Sequence, residues 1–201
     1  MPKKSTLLIL LLALVLLAGI GIMLREGPFW RSTLTGPQTS PAADFTLESA
    51  DGPVSLHDFR GKVVLLYFGY TSCPDICPTS LSRMAQALSL LGREERDRVR
   101  VLLVTVDPER DTPARLKEYA SFFSPNIIGL SGTPKTIARV AKQYGAAFHK
   151  HTVASSLGYV VDHTALVYVI GKNGELRTAL PHGASPQDML PILRAALASP
   201  A

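Results

Sequence analysis

The chain has 201 residues, 46% of them hydrophobic, and a formal net charge of +5. That length allows one domain with a substantial core plus an appendage. The charge suits a protein beside an anionic membrane surface, but it forms no basic run, which argues against nucleic acid as a partner.

The appendage is N-terminal. Leu7 to Leu24 is an uncharged, almost wholly apolar run of 18 residues behind Lys3 and Lys4. Its length is at the lower end for a membrane-spanning helix, and the positive-inside rule keeps the N-terminus in the cytoplasm and exports the rest. A cleaved signal peptide is the rival reading. The run exceeds a usual signal core, no clear small-x-small cleavage site follows it, and no nearby cysteine could carry a lipid. The segment is not Arg- and Ser-rich like a mitochondrial presequence. The expectation is therefore a single-pass transmembrane anchor over residues 1–24 in a bacterial cytoplasmic membrane, with the C-terminal domain outside the cytoplasm. Residues 25–43, rich in Pro, Gly, Ser and Thr, read as a linker.

The domain is expected over residues 44–198. Asp44–Leu47 and Pro53–Leu56 flank Asp51-Gly52 as a hairpin. Val63–Phe68 reads as a buried strand, followed by the loop Gly69-Tyr70-Thr71-Ser72-Cys73-Pro74-Asp75-Ile76-Cys77-Pro78 and a helix to about Leu91. Gly92–Arg98 reads as a charged connector, and Val99–Val106 as a second buried strand. Thr112-Pro113, Thr133-Pro134 and Ser185-Pro186 each open a helix with an N-cap followed by proline, and Ser185 with Asp188 forms a capping box. Asn126–Leu130 fits a short strand between the first two of these helices. Ala165–Ile170 and Leu176–Ala179 form a hairpin around Asn173-Gly174. This alternation predicts an α/β layer fold with a central mixed sheet, and cysteines after the first central strand point to a thioredoxin-like fold.

The chemistry concentrates in the cysteine loop, which holds the only two cysteines. Pro78 belongs in the first turn of the following helix, because it lacks an N–H. Backbone N–H groups and the helix dipole there favour thiolate. Residues four apart on one turn have Cα atoms about 6 Å apart, within reach of a disulfide. An exported pair is usually a structural disulfide, but this one closes so short a loop that it removes little chain entropy. The same sulfurs can hold one soft metal ion: two thiolates favour copper(I), and an added imidazole admits copper(II).

Five histidines could supply that imidazole. His163 precedes a buried strand, and loops at strand ends gather at one edge of an α/β sheet. Position alone leaves it open between a partner of the cysteines and a surface or satisfied histidine. His149 and His151 could share a strand face, though their polar stretch reads as a loop with a solvated pair. His57 and His182 show no partner pattern. Asp107, at the end of a buried strand, is either an acceptor near the site or the start of an Asp-Pro turn. Arg110 and Asp111 could pair across that turn.

Three segments together resemble the Sco/SenC family: Gly69–Pro78, Val106-Asp107-Pro108-Glu109-Arg110-Asp111-Thr112-Pro113, and Val161-Asp162-His163-Thr164. Phe123-Ser124-Pro125 and Gly129–Thr133 also fit, so the likeness runs from about Asp44 to Leu197. C-x-x-x-C alone is common; the three segments in this order behind an apolar N-terminus are specific. The resemblance implies a thioredoxin-like fold and a part in assembling the binuclear copper centre (CuA) of cytochrome c oxidase. It implies copper ligands at Cys73, Cys77 and His163, with the two cysteines also forming a redox-active disulfide. The expected partners are the CuA-bearing oxidase subunit and an upstream thiol reductant or copper donor. Pro181-His182-Gly183 departs from the family, whose members more often carry an aromatic residue there. A thiol–disulfide oxidoreductase acting on the oxidase cysteines is the enzymatic alternative. Such enzymes usually carry C-x-x-C and a facing cis-proline, whereas three residues separate these cysteines and Asp162-His163-Thr164 offers no proline.

Overall fold

A computed structural model describes residues 40–200. The expected anchor and most of the linker lie outside them, and among the described residues no helix is long and apolar enough to cross a membrane.

The central sheet is mixed, as expected, and six-stranded. Its strands are β1 (Ser40–Pro41), β4 (Val63–Gly69), β5 (Val99–Thr105), β6 (Ile127–Leu130), β9 (Val167–Ile170) and β10 (Glu175–Leu180), in the spatial order β1-β10-β9-β4-β5-β6. Strands β4, β5 and β6 run parallel, while β9 and β10 return antiparallel on the other side. Every residue of β4 is buried, which explains its continuous apolar sequence: a central strand covered on both faces has no solvent side to alternate toward. Helices α1 (Ile76–Ser89), α3 (Pro113–Phe123) and α5 (Pro186–Ala198) accompany it, with α1 packed against both α3 and α5. The other face, presented by Phe68 and Tyr168, carries an aromatic cluster with Phe45 and Tyr144, the residue that ends α4 (Pro134–Gln143).

The local signals act as read. Thr112, Thr133 and Ser185 each accept a hydrogen bond from the N–H three residues on, with proline next in line. Strands β2 (Thr46–Ser49) and β3 (Gly52–Ser55) form the first hairpin, and Gly52 has φ +114°, a value that L side chains rarely adopt.

Four details differ from expectation. Ser40 and Pro41, read as linker, pair with β10 as an edge strand. The connector Gly92–Arg98 contains a short helix, α2 (Arg93–Asp97). Leu56 leaves the hairpin to begin a 3-10 turn, Leu56–Phe59. The fourth bears on function. Phe148 to Thr152, read as a loop, is strand β7, and it pairs antiparallel with β8 (Tyr159–His163) in a separate two-stranded sheet. His149, Lys150 and His151 are polar on both faces, so no alternation marks the strand.

Candidate metal centre

Strand β4 delivers the chain to the sheet edge at Gly69. A side chain there would put its Cβ 2.8 Å from the Tyr67 ring and 3.0 Å from Cys77 Sγ, so glycine is what lets the sulfur lie against the strand end. Cys73 stands in the loop, just outside α1. Cys77 is the second residue of that helix and Pro78 completes the first turn, as proline chemistry required. Cys77 is fully buried and Cys73 is 8% exposed; both are free thiols.

The loop is fastened by a carboxylate forty residues away. Asp111, completely buried, accepts hydrogen bonds from Thr71 N–H (3.0 Å), Thr71 Oγ1 (2.6 Å) and Thr105 Oγ1 (2.7 Å). Arg115 adds a bond from Nε to Thr71 Oγ1 (2.8 Å). The expected Arg110–Asp111 pair does not form, because Asp111 turns inward to these hydroxyls and Arg110 pairs with Asp107 instead.

His163, the last residue of β8, closes the site. Its Nε2 lies 3.2 Å from Cys77 Sγ across a separation of 86 positions. The Nδ1–H donates to the Thr164 carbonyl (3.2 Å), which leaves the Nε2 lone pair free to ligate. The Tyr67 and Tyr70 rings stand edge to face with the imidazole at centroid distances of 6.0 and 5.9 Å. One ligand atom from each of Cys73, Cys77 and His163 falls within 4.8 Å of the other two, the one such cluster among the described residues.

The two thiols behave as a pair. Hydrogen bonding from Cys77, with the N–H groups of Asp75 and Cys77, holds the Cys73 thiol far down, at about 3, against the opposing effect of burial. Cys77 is pushed up by that same hydrogen bond, by its own burial and by the neighbouring thiolate. Removing the second proton requires another positive charge, which a bound metal cation supplies. Burial and negative charge at the cysteine pair also push the Tyr67 phenol up, so it remains a donor toward Cys77 Sγ (3.9 Å).

The other histidines stay out of the cluster. His151 pairs with Asp162 (3.2 Å), and His57 pairs with Asp44 (2.8 Å). His182 Nδ1 meets Ser80 Oγ at 2.8 Å, one helical turn beyond Cys77. Asp107, buried to 3% exposure, takes the turn role: its carbonyl accepts the turn N–H groups of Arg110 and Asp111, while its carboxylate faces Arg110 and Tyr159 rather than the sulfurs. Sequence reasoning missed Tyr67, Tyr70, Thr71 and Asp111. Tyr67 reads as an apolar strand residue, and Tyr70, Thr71 and Asp111 as ordinary loop or turn positions.

A family model described as SCO1/SenC matches residues 35–198. The chain belongs to the SCO1/SenC family. It is 37% identical over 153 residues to an SCO2-like protein of Rickettsia conorii, covering 75% of this chain and 74% of that one. Its fold superposes on copper-bound ScoI of Bradyrhizobium japonicum with TM-score 0.71 at 36% identity, covering 79% of this chain and 100% of that chain. BsSco, a member of the Sco family of cytochrome c oxidase assembly proteins in which a disulfide switch was identified, superposes with TM-score 0.64 at 27% identity, covering 82% and 98%. In this SCO1/SenC chain two sulfurs and one imidazole nitrogen make a donor set that suits a soft ion such as copper and leaves room for a fourth ligand.

Proposed function

We propose that this protein is a membrane-anchored metallochaperone that binds copper through Cys73, Cys77 and His163 and assists assembly of the CuA centre of cytochrome c oxidase. The observation that carries the reading is the convergence of those three ligand atoms, within 4.8 Å of one another, from segments far apart in sequence. Membership in a family that includes copper-bound and oxidase-assembly proteins supports it.

With both thiols ionised, copper(I) leaves the site with one negative charge and copper(II) leaves it neutral. A three-ligand site accepts an incoming ligand from the oxidase subunit, as transfer requires. Closing Cys73 and Cys77 into a disulfide removes both sulfurs, so an upstream thiol reductant belongs to the cycle. The Leu7–Leu24 run is the proposed anchor, with residues 25–39 as the linker, holding the domain on the outer side of a bacterial cytoplasmic membrane.

Metal analysis of the reduced full chain tests the reading: about one copper per chain is expected, together with loss of CuA in cells lacking the protein. No copper uptake by the reduced chain would overturn it. A reporter fused after Ala201 is expected to be active only when exported, with Met1 retained; a mature N-terminus near residues 25–30 would replace the anchor by a signal peptide. The lowered Cys73 thiol beside a protonated Cys77 favours one alternative, a thiol–disulfide oxidoreductase acting on the oxidase cysteines. Insulin reduction by the metal-free protein, unaffected by His163→Ala, would move the function to that class.

A further inference from the structure

The hairpin β7–β8 that carries His163 pairs with no strand of the central sheet. Beneath it lies a cavity of about 240 Å³ whose lining includes Val106, Asp107, Ile137, Phe148 and Val161. Val161 is buried against the core and Phe148 packs on it, but no backbone ladder ties the hairpin to the central sheet. Side chains supply the polar ties: Lys150 of β7 pairs with Glu109 at 2.6 Å on the exposed side, and Arg110 makes several contacts at once.

Arg110 lies in the turn after β5. Its Nη1 donates to the carbonyls of Tyr159 (3.1 Å) and Leu157 (3.3 Å), at the start of β8 and just before it. The guanidinium carbon sits 3.7 Å from the Tyr159 ring centroid and 5.8 Å from that of Tyr70. Its Nε is paired with buried Asp107, which also accepts from the Tyr159 hydroxyl at 2.8 Å. The clasp is thus Asp107–Arg110 on the domain side and Tyr159 with two carbonyls on the hairpin side. A second tie follows two residues later, where Val161 N–H donates to Tyr70 Oη (3.1 Å). From Tyr159 to His163 the strand advances by about 13 Å, so a shift at the clasp is carried along β8 to the imidazole.

We propose that Arg110 is a positioning residue for the metal centre: by clasping the start of β8 it sets where His163 Nε2 stands relative to the two sulfurs. This rests on His163 being a copper ligand. Its planar fork suits the task, since it can bond two carbonyls and a carboxylate while stacking on an aromatic ring. Lysine keeps the charge that buried Asp107 needs but cannot make that set of contacts.

The test uses the full chain, reduced, as wild type, Arg110→Lys, Tyr159→Leu and His163→Ala. In the metal-free state, amides 159–164 of Arg110→Lys are expected to exchange with deuterium at least about tenfold faster, while those of β4 and β5 keep their protection. Copper(II) is expected to bind about 10- to 100-fold more weakly, as for other residues that orient a ligand, with an EPR spectrum displaced toward that of His163→Ala and an unchanged copper(I) stoichiometry. Tyr159→Leu cuts the clasp from the hairpin side and is expected to act in the same direction; it decides the matter if Arg110→Lys fails to fold. Unchanged hairpin exchange, or faster exchange with wild-type copper(II) affinity and spectrum, overturns the proposal. If His163→Ala itself gives the wild-type copper(II) spectrum, the ligand assignment falls and Arg110 no longer positions a ligand, whatever the exchange data say about the clasp.

Discussion

The loop bearing Cys73 and Cys77 and the hairpin bearing His163 supply groups to one point, yet they are built from different kinds of contact. The cysteine loop continues a fully buried strand, enters a helix within a few residues and is tied by two hydrogen bonds from Thr71 to Asp111, itself without exposure and also held by Thr105. The histidine rides on a two-stranded sheet outside the main ladder, over a cavity, held by a partly exposed arginine and by tyrosines. A cysteine pair held in this way is expected to keep its geometry with and without metal. An imidazole held in this way can be moved by a small force. On the proposed copper-carrier function, the fixed groups would be those copper(I) needs, and the adjustable one the nitrogen that copper(II) adds.

The largest effect should come from breaking the fixed half outright. Cys73→Ser, Cys77→Ser, or oxidation of the pair should each abolish copper binding, and reduction of the oxidised wild type should restore about one ion per chain. Equal copper loading of oxidised and reduced protein would show that the sulfurs are not the site.

Asp111→Ala attacks the same half indirectly. It leaves three donors without their acceptor in a buried region, a loss of about 3 kcal/mol in stability, read as a lower denaturation midpoint in urea. Copper(I) and copper(II) affinities should fall together, because the whole loop loosens. A stability change below about 0.5 kcal/mol would mean that Asp111 is not what fixes the loop.

His163→Ala touches only the adjustable half. Copper(II) binding should weaken or change its spectrum strongly and copper(I) binding less, with stability altered by under about 1 kcal/mol. Oxidase assembly in cells should fail. A wild-type copper(II) spectrum together with normal oxidase would remove the histidine from the site.

The smallest perturbation sharpens the picture of the pair without mutation. With its pKa lowered to about 3, the Cys73 thiol is ionised throughout the neutral range. Its alkylation rate in the metal-free reduced protein should therefore be nearly flat from pH 5 to 8. An ordinary thiol near 8.5 gains about tenfold per unit over that range. A tenfold rise per unit would show that Cys77 does not share its proton with Cys73.

The same division separates what the sequence makes legible from what it hides. Val63–Phe68 declares itself by an unbroken apolar run, three helices by Thr-Pro or Ser-Pro starts, and the thiols by their place between strand and helix. All of these are local. Strand β7 is hidden because Phe148-His149-Lys150-His151-Thr152 owes its extended form to β8 rather than to any periodicity of its own. Asp111 is hidden because its use depends on Thr71, forty positions earlier, and nothing in an acidic turn residue announces a buried acceptor. His163 was placed by resemblance; its position before a strand left two readings open, and the fold brings its Nε2 to 3.2 Å from Cys77 Sγ.

Cys77 has no exposed surface, whereas Cys73 keeps a small opening to solvent. Traffic through the pair therefore has a direction. An incoming thiol would meet Cys73 first: a dithiol reductant would attack the Cys73 sulfur of the disulfide, expel Cys77 as a thiol, and then release Cys73 by closing its own disulfide. On the proposed function a metal ion would follow the same order, caught by Cys73 before settling against Cys77, and an acceptor would draw it out past Cys73 again. One sulfur forms the entrance and the other the floor.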